Sequence, residues 1–209
     1  MTRTDRMRWS GVALLIAGVL VAVATVLHPD ETVPGVYSQS IWATSHMVLF
    51  AGTVLALFGL LGLYAALADQ GWLALGGFVL AFIGNVMLAA IAVMEAWIAP
   101  MIAGLGAPGA ELLSSGPEGS FGLVVIASMV AFAAGSLLLG AAVLRSNILP
   151  KWAGILLAVG GITAPFVPPL PHVLLPIGGL CIGVAFVWLG YSIWMSVPQW
   201  LVQAQSGAA

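Results

Sequence analysis

Residues 72–98 read WLALGGFVLAFIGNVMLAAIAVMEAWI, an unbroken apolar run whose one charged side chain is Glu95. As an α-helix this run rises about 40 Å, more than the ~30 Å hydrocarbon thickness of a bilayer. Its apolar residues are continuous rather than alternating, which is not the pattern of a barrel strand. In lipid every backbone N–H and C=O must be bonded within the protein, and a helix does this by itself. The stretch predicts a transmembrane helix.

Comparable runs at 9–28, 41–66, 121–144, 152–168 and 172–196 bring the expected spans to six, forming one all-α transmembrane domain over 1–209. The composition agrees. Of 209 residues 62% are hydrophobic and 6% charged, with a mean hydropathy of +1.15, whereas a soluble domain is about a quarter charged. With 5 Lys+Arg against 7 Asp+Glu, the chain lacks the basic excess that nucleic-acid binding requires. No G-x-G-x-x-G stands between a strand and a helix, and no phosphate-binding loop is present, so nucleotide binding is excluded. A serine nucleophile would need a G-x-S-x-G that is missing. The one cysteine, Cys181, excludes a disulfide framework. It lies mid-span beside Leu180 and Ile182, as a packing residue does.

Orientation follows from the basic residues. Arg3, Arg6 and Arg8 precede the first span, and Arg145 and Lys151 flank the loop between the fourth and fifth. Six spans place all five on one side, which the positive-inside rule makes cytoplasmic together with both termini. The loop 99–120 and the acids Asp30, Glu31, Glu111 and Glu118 then lie outside. Arg3–Arg8, an apolar run and Ala22-Val23-Ala24 also resemble a signal peptide. The first span has an internal counterpart, however, and is expected to be a retained helix.

That counterpart is the fifth span. Arg8-Trp9-Ser10-Gly11 matches Lys151-Trp152-Ala153-Gly154, and Gly18 matches Gly161 at the same offset. The third span opens similarly with Trp72 and Gly76-Gly77, and the even-numbered spans share late glycines at Gly62, Gly140 and Gly190. The pattern points to three tandem helical hairpins. The alternative is that Trp at an interface and Gly in a span are ordinary features. Gly179-x-x-x-Gly183 and the paired glycines of spans one and four offer small faces for close helix packing. Within 99–120, residues 109–114 suit a short interfacial helix, so this loop is either a lid or a plain connection. Four prolines between 165 and 171 stiffen the last outer turn, and Pro176 is expected to kink the sixth span.

Scarce polar groups gather at one height. At ~1.5 Å per residue, His28 stands about 28 Å above Trp9, His46 about 27 Å from Tyr64, Glu95 about 34 Å above Trp72, and His172 about 33 Å from Trp194. All four meet the outer edge of the hydrocarbon layer from four different spans. An ionisable group there costs a few kcal/mol and normally faces protein or a cavity. Three imidazoles and a carboxylate suit zinc, copper or iron, and two facing imidazoles suit haem. His46, Glu95, His28 and His172 are therefore the candidate metal or cofactor residues. Asn85 and Ser45 are candidates to orient them, and Met94 and Met101 are soft enough to assist copper. The competing explanation is that interfaces are where polar side chains are cheapest, and no paired motif such as H-E-x-x-H is present. Trp42, Trp97 and Phe166 share this level, either as interface anchors or as walls for a flat cofactor. Trp9, Trp72, Trp152 and Trp194 mark the opposite interface.

The run Ile148-Leu149-Pro150-Lys151-Trp152-Ala153-Gly154 resembles a helix start of small multi-pass bacterial membrane proteins of uncharacterised families. The resemblance covers that junction and its echo at Arg8-Trp9, and implies a protein of the bacterial inner membrane without implying an activity. The expected function is a membrane protein with a haem- or metal-binding His/Glu site on its outer face, within a larger complex or a self-association. The alternatives are a cofactor-free accessory subunit and a small transporter or channel.

Overall fold

The computed structural model describes residues 2–116, 119–164 and 174–206. Among these residues there is no strand; the chain is helical, with five helices long and apolar enough to cross a membrane. In chain order the helices are α1 (Arg3–Leu27), α2 (Ser40–Leu67), α3 (Trp72–Ala103), α4 (Ala107–Ser114), α5 (Gly119–Arg145), α6 (Lys151–Thr163) and α7 (Leu174–Ser206). Short 3-10 turns cover Val36–Ser38 and Ala68–Gln70. The lipid bilayer is the environment such apolar helices require, and the protein is multi-pass.

The helix ends have local causes. α1 starts at Arg3, ahead of the expected 9, because Thr2 and Asp5 form a capping box: Thr2 N–H donates to Asp5 Oδ2 at 2.9 Å, and Asp5 N–H donates to Thr2 Oγ1 at 3.1 Å. It stops at Leu27 because Pro29 drives His28 out of the helical region, to φ −64° and ψ 118°. α3 runs through Pro100 to Ala103 rather than ending at 98. The proline removes one N–H from the ladder but does not stop a helix whose flanking turns stay bonded. The short helix expected at 109–114 is α4, two residues longer at its start.

Of the expected fifth span, 152–168, the described part is α6. Its 13 residues rise about 20 Å, and the prolines after it lie outside the described residues. The described part of α7 begins at Leu174 and includes Pro176. The residues before Leu174, which decide how far inside the helix Pro176 lies, are outside the described residues.

Successive long helices pack on one another, α1 on α2, α2 on α3, α3 on α5, α5 on α6 and α6 on α7, and α7 closes against α1. The result is a ring of six antiparallel neighbours around a core of Leu14, Ala17, Leu60, Leu63, Leu139, Leu157 and Leu189. Glycine sets the closest approaches. A Cβ on Gly11 would lie 2.7 Å from the Gly190 carbonyl oxygen, and one on Gly140 2.6 Å from that of Gly154. Any side chain at these crossings would force the helices apart. Trp9, Trp72, Trp97 and Trp152 point outward, as lipid-facing anchors do.

Candidate functional site

The polar cluster sits where α1 hands over to α2. Leaving α1, the chain turns at Pro29, re-enters through Gly35 at φ +76° into the Val36–Ser38 turn, and starts α2 at Ser40. That path lays Tyr37, Trp42, His46 and His28 against each other. The His28 and His46 ring centroids are 4.9 Å apart, Trp42 lies 4.4 Å from His46 and 5.4 Å from His28, and Tyr37 lies 4.6 Å from Trp42. Trp42 is the hub. It is 1% exposed, whereas Trp97, expected at the same level, is 62% exposed and faces outward.

Backbone carbonyls fix both imidazoles. His46 Nδ1 donates to the Trp42 carbonyl at 2.8 Å, one turn back along α2, and His28 Nδ1 donates to the Pro29 carbonyl at 2.9 Å. A carbonyl only accepts, so Nδ1 carries a proton in each ring. Ser45 Oγ donates to the same Trp42 carbonyl at 2.9 Å and stands 3.4 Å from His46 Nδ1. It shares the histidine's acceptor rather than holding the ring. Asn85 donates to the Ala81 carbonyl at 2.8 Å within its own helix, so it does not orient the histidines.

Glu95 reaches the cluster from α3 through its backbone. Trp42 Nε1 donates to the Glu95 carbonyl at 2.8 Å, which pins α2 to α3 at this level. The Glu95 side chain turns into a cavity of about 400 Å³. Its walls include Glu31, Tyr37, Trp42, Met94, Ile98 and Phe121, and α4 covers it with Leu112 and Leu113. Val36, Trp42 and Ala99 form a small core beneath, against which Tyr37 and Leu113 pack. The Tyr37 phenol is held above its ordinary pKa by burial first and then by the negative charges of Glu31 and Glu95. It remains a hydrogen-bond donor at neutral pH. α4 is bracketed by Gly106 at φ +77° and Gly116 at φ +73°, backbone settings that admit glycine most easily.

Two of the four candidate residues are therefore brought together, His28 and His46. Glu95 lines a cavity, together with Trp42, whose described lining contains neither histidine. His172 lies outside the described residues. Among the described residues no group of three His, Cys, Asp or Glu side chains could hold a metal ion. Met94 lines the cavity, while Met101 faces outward, 69% exposed. Heights computed from sequence did not find Tyr37 or Glu31. The signal available was the acid–aromatic content of the 29–39 loop, which joins two spans at the level of the histidines.

The chain matches no family model, no curated protein and no solved structure.

Proposed function

We propose that this is a six-span protein of a bacterial inner membrane, with both termini cytoplasmic, that binds a small cationic and partly apolar molecule at its outer face. The observation that carries the ligand is the covered cavity of about 400 Å³ at Glu95, a size within the usual range for small-molecule sites. Its carboxylates would attract positive charge. The ring of Tyr37 would favour a desolvated cation by about 0.5–2 kcal/mol, and Ile98, Leu112 and Leu113 would cover an apolar body. The sidedness rests on Arg3, Arg6, Arg8, Arg145 and Lys151 and the positive-inside rule.

The test is calorimetric titration of the purified chain with benzyltrimethylammonium and with its neutral isostere neopentylbenzene. Saturable binding of the cation alone, weakened about tenfold or more by Glu95→Gln, is expected; a carboxylate buried beside a cation is worth at least ~1.4 kcal/mol. Equal binding of the two compounds, or an indifferent Glu95→Gln, removes the reading and leaves an accessory subunit without a small ligand in front. Minimal cytoplasmic loops, such as 68–71, leave the intramembrane faces as the surface for other subunits. Co-purification from mild detergent measures that part separately.

A second reading is favoured by the matched Nδ1–carbonyl bonds of His28 and His46. Nδ1–H bonded to a carbonyl, with the lone pair on Nε2, is the arrangement that metal-ligating histidines use. Two imidazoles side by side on one ion put their centroids about 5 Å apart for metal–nitrogen bonds near 2.0–2.1 Å, close to the observed 4.9 Å. Opposite ligands of a haem iron would need roughly 6 Å, so an iron, copper or zinc ion suits the pair better than haem. Elemental analysis of washed protein should then give a metal that His46→Ala loses and Glu95→Gln keeps. Metal-free protein, or metal retained by His46→Ala, ends this reading. Transport has the least support. Thr25, Thr53, Asn85 and Ser128 are buried and each donates to a carbonyl of its own helix, so they mark no polar path.

A further inference from the structure

A second cavity opens at the other end of the bundle, against the first turns of α1. It is a groove of about 630 Å³ between α1 and α2, walled by Trp9, Phe58 and Leu61 and headed by Arg3 and Arg6. Its shape is dictated by residue spacing. Arg3, Arg6, Met7 and Ser10 fall on one face of α1, and Leu55, Phe58, Leu61 and Gly62 on one face of α2. Gly62 has no side chain, and a Cβ there would run into Ser10. The floor of the groove is thus the Ser10–Gly62 contact, and its walls are the larger side chains on either side.

The first turns of α1 carry a net positive charge, Arg3, Arg6 and Arg8 against Asp5. Asp5 is the one acid in α1, and its carboxylate is taken up by the Thr2 backbone N–H in the capping box. Arg3 and Arg6 are both solvent-exposed. Below them, Trp9 is 64%, Phe58 58% and Leu61 51% exposed, an apolar wall open to lipid, and the groove runs for about 15 Å along α1. Two guanidiniums above an exposed apolar trough match a molecule that has a phosphate at one end and an alkyl chain at the other.

We propose that this groove is a binding site for one anionic phospholipid, with an acyl chain along Phe58 and Leu61 and the phosphate between Arg3 and Arg6. The bilayer is the source, because the trough opens sideways to lipid and not only to water. The site is independent of the Glu95 cavity, and either can fail alone.

Native mass spectrometry of the full chain in detergent tests it, with phosphatidylglycerol and phosphatidylcholine of identical chains added in equal amounts. Retention of one phosphatidylglycerol in preference to phosphatidylcholine by about tenfold or more is expected, since each basic residue near a membrane surface contributes appreciably to anionic-lipid binding. Arg3→Gln with Arg6→Gln should abolish the preference. Arg145→Gln with Lys151→Gln removes as much charge elsewhere and should leave it intact. Ala65→Phe, at an exposed position lining the groove, should reduce retention without touching the arginines. Equal retention of both lipids, or equal loss on neutralising either pair, overturns the site. Displacement of the lipid by millimolar inorganic phosphate would assign the arginines to a free anion and overturn the lipid reading as well.

Discussion

Trp42 shows what one residue does here. Its indole touches Tyr37, His28 and His46, and its Nε1–H binds α3 at the Glu95 carbonyl. Trp42→Phe keeps much of the ring contact and loses one hydrogen bond, which costs about 1 kcal/mol. Trp42→Ala opens a cavity at a fully buried aromatic and should cost about 3–5 kcal/mol. Thermal melts of the two variants in one detergent measure the difference. If Trp42→Ala melted like the parent, the ring cluster would not be holding α1, α2 and α3 together. At this scale the sequence was readable in height but not in direction. Counting 1.5 Å per residue put His28, His46 and Glu95 at one level, and the Trp42 bridge shows that they share it. Which of them face each other depends on the azimuth of three helices, and only packing decides that. Glu95 accordingly lines a cavity whose described walls include Trp42 and neither of the imidazoles it was expected to join.

Among the elements, α4 and the glycine crossings behave differently under substitution. Gly109 is pressed onto the Ile102 carbonyl, so a side chain there must lift α4 away from α3. α4 is otherwise mostly exposed. Gly109→Leu should therefore lower the melting temperature little while weakening benzyltrimethylammonium binding several-fold, and unchanged binding would mean that α4 is no cover for the cavity. Gly190→Val is the opposite case. A Cβ at Gly190 would lie 2.5 Å from the Gly11 carbonyl oxygen, and the α1–α7 contact that closes the ring would have to open. A loss of several kcal/mol is expected, near the upper range for overpacking. Gly76→Ala is its control, since a Cβ there meets only Leu138 Cδ1 at 3.6 Å. Melts of the two variants should differ clearly. Helix existence was legible from apolar length. Ends set by a capping box at Thr2 or by tolerance of Pro100 were not, because hydropathy does not see backbone hydrogen bonds.

For the whole molecule, the glycine contacts give the repeat a physical meaning. The sequence aligned Gly11 with Gly154 and placed Gly140 and Gly190 alike in the even spans. In the fold Gly11 meets Gly190, and Gly154 meets Gly140, so the α7–α1 and α5–α6 junctions use one device. The α2–α3 junction departs from it, because Gly62 faces Ser10 within its own hairpin. Closing a ring of three hairpins requires both ends of the chain on one side, and that requires α6 to cross. The described helix Lys151–Thr163 accounts for about 20 Å of the ~30 Å core, and the topology to test against is a re-entrant α6 with five crossings. The two topologies differ in one observable. In a Cys181→Ala background, Ser115→Cys should react with a membrane-impermeant maleimide in intact bacterial spheroplasts, and Asn147→Cys only after permeabilisation. Ser206→Cys then decides. Six crossings make it behave like Asn147→Cys, shielded until the membrane is opened, whereas five crossings would expose it beside Ser115→Cys. Such exposure would break the ring's two-sided symmetry and move the C-terminus to the outer face, while the five basic residues, all ahead of α6 or at its first residue, would keep a common side.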